Sequence, residues 1–436
     1  MIKIYDTMTR SLRDFVPLTE NIVNMYVCGP TVYNYIHIGN ARSAVAFDTI
    51  RRYFEYCGYT VNYISNFTDV DDKIIKAANE AGISTKELSD KFIAAFMEDT
   101  GQLGIKPATQ NPRVINYMDE IIAFVSTLVD KGFAYVSEGD VYFRVAKSNN
   151  YAKLANKTLE DLEIGASGRT DAETERKENP LDFALWKAAK EGEVSWDSPW
   201  GPDRPGWHIE CSVMATEILG DTIDIHGGGA DLEFPHHTNE IAQSEAKTGK
   251  TFANYWMHNG FVNVDNEKMS KSLGNFVTVH DMLQTVDGQV LRFFLATQQY
   301  RKPINFTEKA IHDAEVNLKY LKNTHSLPLT EQVNQAELQT YLDAFQEAMD
   351  DDFNTANGVT VLFDMAKWIN SGNYDQTVKD AFEKMLQVFG IVFEEEVLDE
   401  DIEKLIEERQ AARANKDFAT ADRIRDELAA QGIKLL

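Results

Sequence analysis

The spacing of apolar residues along the chain changes near Phe276. Before this residue, two β-rich runs at 24–29 and 59–69 flank a helix-like segment over about 41–56. This βαβ order favours a parallel sheet. Beyond Phe276, apolar residues recur at intervals of three and four, as over 310–321, which is typical of helices. We therefore expect an α/β first half and an all-α second half.

Within the first half, the pattern predicts mostly helix from Asp71 to about Lys131 and then a hairpin over 133–145. A β-like run over 221–232 and a hairpin-like run over 256–272 follow later. Residues 147–205 are rich in Asn, Gly, Ser, Pro and charge, and we interpret about 110–205 as an insertion into the first domain. The expected domains are 1–275, a helical stem and bundle over 276–395, and a small helical module over 396–436.

Composition limits the possible function classes. The 436 residues are 43% hydrophobic and carry a formal net charge of −26. This charge repels nucleic acid overall, so RNA binding would require a local basic patch. No apolar run reaches membrane-spanning length, and the first residues lack the apolar core of a signal peptide. We expect a globular protein of the cytoplasm with no membrane association.

The stretch Phe234–Glu240, FPHHTNE, concentrates two imidazoles and a carboxylate. Pro235 suits the first position of a helix, and helical spacing would then place His236 and Glu240 on one face. Two ligands do not make a metal site, and an ordinary surface helix remains the alternative. The three cysteines, Cys28, Cys57 and Cys211, are too few and too scattered for a disulfide framework, so we expect them to act as thiols or thiolates.

Two further stretches suggest phosphate chemistry. In YVCGPTVYNYIHIGNAR a strand ends at Cys28 and a turn leads through HIGN, residues 37–40, into a helix. Backbone amides and the dipole at a helix N-terminus favour an anion there. In EKMSKSLGN, Lys268 and Lys271 lie on a loop that could close over a developing pyrophosphate. Alone, the first stretch also fits a polar helix cap, and the second a solvated lysine-rich turn.

The HIGN and KMSKS pair resembles the two signatures of class I aminoacyl-tRNA synthetases. Together with NFTDVDDKI, RPGWHIECS and DIHGGGADLEFPHHTNEIAQS, it is similar to the cysteinyl-tRNA synthetase family from about residue 2 to the end of the chain. The resemblance implies a Rossmann-like parallel-sheet catalytic domain with an inserted connective segment. An all-α helix bundle and a helical anticodon-binding module would follow.

The resemblance also implies a zinc ion. The positions that match the family's ligands are Cys28, Cys211, His236 and Glu240. In this family the zinc binds the thiolate of substrate cysteine, and soft sulfur binds zinc far better than the hydroxyl of serine does.

The remaining site residues are also implied by the resemblance. His37, Asn40, Lys268 and Lys271 would stabilise charge during catalysis. The implied cysteine pocket comprises Thr68, Trp207, His208 and His226, and the implied ATP site comprises Gly39, Gly227, Gly228, Gly229, Asp231 and Lys271. Trp207 fits an ordinary core residue equally well. Magnesium would bind the ATP phosphates.

The C-terminal module would read tRNA(Cys) through a basic patch of Arg409, Arg413, Lys416, Arg423 and Arg425, although interleaved acids also fit a helix pair with internal ion pairs. Two departures from the family are visible. Asp203, in an expected loop, replaces a glycine, and the usual C-terminal tail is absent after residue 436. The expected assembly is a monomer. One alternative is a cysteine ligase with an amino-sugar acceptor, and another is a non-catalytic, zinc-dependent RNA-binding protein.

Overall fold

The computed structural model describes residues 1–166, 174–270, 272–394 and 400–430. These residues belong to two compact units, Met1–Val392 and Phe393–Leu436. The strands are β1 Lys3–Asp6, β2 Ser11–Asp14, β3 Ile22–Val27, β4 Thr60–Ser65, β5 Ala134–Ser137, β6 Asp140–Phe143, β7 Phe183–Ala188, β8 Asp203–Pro205, β9 Ile223–Gly229, β10 Ala253–Asn259, β11 Val262–Val264, β12 Glu267–Lys268 and β13 Ile304–Phe306. The helices are α1 Ile38–Tyr56, α2 Asp72–Ala81, α3 Thr85–Gln102, α4 Met118–Asp130, α5 Leu159–Ala166, α6 Trp207–Leu219, α7 Thr238–Thr248, α8 Val279–Met282, α9 Gly288–Ala296, α10 Glu308–His325, α11 Gln335–Asp350, α12 Thr355–Asn370, α13 Gln376–Val388, α14 Glu400–Ala414 and α15 Phe418–Ala430.

A four-stranded parallel sheet in the order β10-β9-β3-β4 forms the centre of the first unit. The predicted βαβ unit is confirmed as β3, α1 and β4. Parallel strands bring their carboxyl ends to one edge, where Val27 pairs with both Ser65 and Gly227. The side chains that follow these strands therefore meet at one edge of the sheet.

Between β4 and β9 the chain forms helices α2 to α4 and a separate antiparallel sheet in the order β5-β6-β7-β8. The predicted hairpin over 133–145 is confirmed as β5 and β6. The sequence suggested that Asp203 lies in a loop, and this prediction is wrong. Asp203 begins β8, is buried, and exchanges backbone hydrogen bonds with Trp196.

The hairpin-like run over 256–272 is only partly a hairpin. Residues 253–259 form β10 of the parallel sheet, and the antiparallel pair is restricted to β11 and β12. Tyr255 and Trp256 are consecutive and both buried, so β10 is covered on both faces. A strand covered on both faces does not show the alternation of apolar and polar residues that is typical of a hairpin strand.

Helix α1 is anchored by two buried arginines. Arg42 donates to the backbone carbonyls of Gln299, Tyr300 and Lys302. Arg292 of α9 forms a 2.7 Å ion pair with Asp48 of α1 and donates to the carbonyl of Phe389. These contacts fix α1 against the helices that follow the parallel sheet.

From α8 to α13 the chain is helical except for β13, as the apolar spacing predicted. In the second unit, α14 and α15 form a helical pair. Among its predicted basic residues, Arg423 pairs with Glu427, and Arg425 pairs with Asp422 and Asp426. Residues 431–436 lie outside the described residues. Across the described residues, no helix is long and apolar enough to cross a membrane.

Candidate active site

Four potential metal ligands converge beyond the end of β3. Cys28 follows the strand directly, Cys211 lies on α6, and Glu240 lies in the first turn of α7. Their ligand atoms and that of His236 all lie within 4.8 Å of one another. Two sulfurs, an imidazole and a carboxylate around one point match the donor set and spacing of a tetrahedral zinc site. The residues present therefore fit the metal that the resemblance implies.

Two of the four groups, Glu240 and Cys211, ionise readily in this cluster. Burial raises the pKa of Glu240, but the adjacent His226 and His236 outweigh this effect and hold its pKa at about 2. A hydrogen bond from Cys28 lowers the pKa of Cys211 to about 6, although burial opposes it. Burial is the larger cause that raises the pKa of Cys28, and the neighbouring Cys211 raises it further. Burial lowers the pKa of His236, but Glu240 and Cys211 outweigh this effect and raise it to about 10, so the imidazole must release its proton when a cation binds.

The start of α7 differs from the sequence prediction. The regular helix begins at Thr238, and Pro235 lies in an irregular turn before it, joined to Phe234 by a cis peptide bond. His236 still reaches Glu240, with 2.9 Å between Nε2 and Oε1. The predicted juxtaposition is therefore present without the predicted helix start.

A second histidine of the same stretch also faces the site. His237 Nε2 lies 3.4 Å from Cys28 Sγ, and Cys28, His226, His237 and Glu240 form another group whose ligand atoms lie within 4.8 Å of one another. His237 Nδ1 is 2.8 Å from His258 Nε2 on β10. Sequence reasoning missed His237 and His258. The one available signal was the second imidazole of FPHHTNE.

The four residues predicted to form the cysteine pocket lie near the ligands in different ways. Trp207 is 42% exposed and stacks on the ring of His236 at 4.1 Å. His208 Nδ1 lies 2.9 Å from His236 Nδ1. His226 is fully buried behind Glu240, with 2.6 Å between Nε2 and Oε2. Thr68 is buried beside the 28–32 loop. A cavity opens beside the ligand cluster. Among the described residues, its wall includes Trp207 but not His208, His226 or Thr68.

That cavity has a volume of about 650 Å³ and is lined by Cys28, by His37, Gly39 and Asn40 of HIGN, and by Lys268. His37 and Asn40 also cap α1. The backbone N–H of Asn40 donates to His37 Nδ1, and the backbone N–H of His37 donates to Asn40 Oδ1. His37 and Asn40 therefore cap the helix and also line the cavity.

The HIGN turn and the segment after KMSKS are joined by backbone hydrogen bonds. The N–H of Ile38 donates to Val277 and the N–H of Val279 donates to Ile36, both at 3.0 Å. Lys268 ends β12 with an exposed side chain. Lys271 lies outside the described residues, so its assigned role stays a prediction.

The three predicted nucleotide glycines that lie on β9 have different surroundings. Gly229 and Asp231 line the cavity, whereas Gly227 and Gly228 are not part of its described wall. A Cβ on Gly227 would lie 2.4 Å from the ring of Phe47 on α1. The absence of a side chain at Gly227 is therefore explained by close packing of α1 on β9.

Comparison with family models assigns the chain in three parts. Residues 14–316 match the model described as tRNA synthetases class I (C) catalytic domain, residues 344–394 match the DALR domain, and residues 395–434 match the cysteinyl-tRNA ligase anticodon binding domain. The first match covers more than half of the chain.

Curated relatives align over the whole chain. A cysteine–tRNA ligase of Streptococcus thermophilus (strain CNRZ 1066) is 95% identical over 436 residues, which are 100% of this chain and 98% of that protein. A cysteine–tRNA ligase of Streptococcus pyogenes serotype M6 is 84% identical with the same coverage. Among solved structures, Mycobacterium tuberculosis methionyl-tRNA synthetase with methionyl-adenylate has a TM-score of 0.61 at 16% identity, covering 84% of this chain and 89% of that one. This last likeness concerns the fold alone.

Proposed function

The chain belongs to the cysteinyl-tRNA synthetase family of class I aminoacyl-tRNA synthetases, and we propose that it activates L-cysteine with ATP and transfers the cysteinyl group to tRNA(Cys). The observation that carries this proposal is the position of the Cys28, Cys211, His236 and Glu240 cluster. It lies at the end of the strand that leads into HIGN, so amino-acid selection and ATP chemistry would share one strand end. Full-length similarity to cysteine–tRNA ligases supports the same substrates.

In the first step, the cysteine carboxylate attacks the α-phosphorus of ATP. A bond forms between a carboxylate oxygen and the α-phosphorus. The bond from the α-phosphorus to the oxygen that bridges it to the β-phosphorus breaks, and pyrophosphate leaves with that oxygen. We assign His37 and Asn40, at the start of α1, and Lys268 and Lys271 to stabilisation of the charge that develops on the phosphates. Magnesium would accompany ATP as part of the substrate.

Selection of cysteine is assigned to the ligand cluster and its surroundings. Cys28, Cys211, His236 and Glu240 would hold zinc, which when bound would supply a soft Lewis acid that favours sulfur over a neutral hydroxyl. Trp207, exposed at the cavity and stacked on His236, would cover the substrate side chain. His208, His226 and Thr68 would fix the surrounding wall. Gly39, Gly229 and Asp231 would contact the nucleotide, and Gly227 and Gly228 would shape the strand beneath it.

In the second step, a ribose hydroxyl of the terminal adenosine of tRNA attacks the adenylate carbonyl, and AMP leaves. We assign no protein base to this step, because correct positioning supplies most of its rate. The match of residues 395–434 to an anticodon-binding model supports tRNA as the acceptor. Arg413 and Lys416 are both exposed, and we propose that they form part of the basic patch that contacts tRNA.

We also propose a monomer in the cytoplasm. The three cysteines are unpaired, as expected in a reducing compartment. The comparisons do not support the amino-sugar ligase or the non-catalytic RNA-binding protein.

The acceptor is tested by incubating the zinc-loaded protein with ATP, labelled cysteine and either a tRNA(Cys) transcript or glucosamine. Label attached to the tRNA, and released by mild base as expected for an ester, is the predicted result. Label on the amino sugar, with none on tRNA, would replace the proposal with the ligase alternative. A transcript with a changed anticodon serves as the matched control and should be charged less efficiently.

A further inference from the structure

A buried asparagine outside the predicted site touches three of its parts. Asn66 follows β4 and is 1% exposed. Its Oδ1 accepts a hydrogen bond from the backbone N–H of Gly29 at 3.0 Å and lies 3.9 Å from Cys211 Sγ. Its Nδ2 donates to Thr68 Oγ1 at 3.2 Å. One carboxamide thus contacts the residue after one ligand, the sulfur of a second ligand and the hydroxyl of Thr68.

The orientation of this carboxamide is determined by its partners. A backbone N–H can only donate, so the atom facing Gly29 must be the oxygen and the atom facing Thr68 must be the nitrogen. A carboxylate at this position would keep the first contact but could not donate to the second. A hydrophobic side chain would leave the N–H of the half-buried Gly29 without this partner.

The backbone around Asn66 restricts Gly29 further. A Cβ on Gly29 would lie 1.7 Å from the carbonyl oxygen of Asn66, so only glycine fits against this strand end. The loop after Cys28 continues along the same segment, with the N–H of Thr68 donating to the carbonyl of Pro30 at 3.1 Å. Cys28 is therefore held between β3 and the residues that follow β4, and Asn66 provides the side-chain part of that attachment.

From these contacts we infer that Asn66 is a positioning residue, which fixes Cys28 for zinc through the backbone of Gly29 and holds Thr68 in the wall around substrate cysteine. The zinc part of this inference rests on the ligand geometry, and the substrate part rests on the proposed function. Groups that orient metal ligands through hydrogen bonds typically change metal affinity when they are lost. Asn66 acts through its neighbours and does not itself contact reacting atoms.

The test compares Asn66→Ala, Asn66→Asp and the control Asn62→Ala in the full chain. Asn62 is a half-buried asparagine on β4 whose carboxamide donates to Asn24 Oδ1, away from the ligands. The zinc dissociation constant is measured by competition with a chromophoric chelator. The KM values for cysteine and ATP are measured at saturating zinc by pyrophosphate exchange.

For Asn66→Ala we expect the zinc dissociation constant to rise by about 10- to 100-fold and the KM for cysteine to rise about tenfold, with little change in the KM for ATP. Asn66→Asp keeps the acceptor for Gly29, and it carries the test if the alanine variant does not fold. Its expected effect is mainly a rise in the KM for cysteine, because the Thr68 hydroxyl must turn to donate to the carboxylate instead of accepting from the amide. Asn62→Ala should leave all three constants within about twofold.

The inference is overturned if folded Asn66 variants bind zinc as tightly as the unsubstituted protein with an unchanged KM for cysteine. It is equally overturned if both KM values rise together, since a general structural role would affect both substrates. Absence of cysteine-dependent exchange in the unsubstituted protein would instead reject the proposed function. The zinc measurement would still decide whether Asn66 positions the ligands.

Discussion

The sulfur atoms of Cys28 and Cys211 lie 3.8 Å apart, although the two residues are separated by 183 positions in the chain. A disulfide would require about 2.05 Å, and both cysteines are free. The separation suits two sulfurs that share one tetrahedral ion. It arises because Cys211 of α6 belongs to a buried cluster against which Cys28, the residue after β3, is packed.

Replacement of one of these sulfurs should remove the metal. For Cys211→Ser we expect loss of bound zinc and a fall in cysteine-dependent pyrophosphate exchange of more than about 100-fold, because a hydroxyl is a poor zinc ligand. Zinc content by elemental analysis and the exchange rate provide the measurements. Cys57→Ser is the control, since Cys57 follows α1 outside the ligand cluster. Equal zinc loss in both variants would argue against a specific site.

The cap and charge-stabilising roles of His37 can be separated. Asparagine is also a good N-cap, so His37→Asn should change the free energy of unfolding by less than about 0.5 kcal/mol. It should nevertheless lower the exchange rate by about 100-fold, because the imidazole would no longer face the phosphates. Urea unfolding and pyrophosphate exchange are measured on the same preparation. A stable variant with full exchange would show that His37 serves only the helix.

Gly227 should affect packing more than nucleotide binding. In Gly227→Ala the new methyl group would meet the ring of Phe47, so we expect a loss of about 1–3 kcal/mol in unfolding free energy. Adding Phe47→Leu should restore part of that loss, since the two positions are in contact. A variant of normal stability with a raised KM for ATP would instead support direct nucleotide contact.

The ion pair between Asp48 and Arg292 should make the free energy of unfolding depend on pH in the acidic range. Burial raises the pKa of Asp48, but Arg292 and Arg52 outweigh it and hold the pKa below its usual value of 3.8. The charged pair therefore stabilises the fold above about pH 4, and this contribution is lost as pH falls through the lowered pKa. Asp48→Asn should flatten the acid limb of a stability curve measured by denaturant unfolding.

The same pair gives a prediction at neutral pH. Arg292→Met leaves Asp48 buried with Arg52 as its remaining cationic partner and should cost about 3–5 kcal/mol. In a double-mutant cycle with Asp48→Asn, the two losses should not add. Strict additivity would mean that the pair contributes no coupling energy.

Much of the fold could be predicted because it depends on local patterns. The β-rich runs around α1 and the helical spacing after Phe276 correspond to observed elements. The identity of β10 as a parallel strand could not be predicted, because a β-rich run does not show which other strand it will pair with. The true start of α7 at Thr238 was also missed, because Pro235 fits a helix start and an irregular turn equally well.

The candidate site shows the same division. Its ligand cluster could be named only through the resemblance, since four residues on three segments have no common local signal. The contacts of His237 with Cys28, and of Asn66 with Gly29, depend on how the strand ends meet and appear only in three dimensions. The packing role of Gly227 likewise requires the position of Phe47.

The most direct test of the central claim is ATP–pyrophosphate exchange with cysteine or serine, before and after zinc removal by a chelator. We predict exchange with cysteine alone, its loss on chelation, and its return when zinc is added back. This result would establish activation and thiol selection in the same experiment. Absence of exchange from a folded, zinc-loaded protein, or equal exchange with serine, would contradict the account.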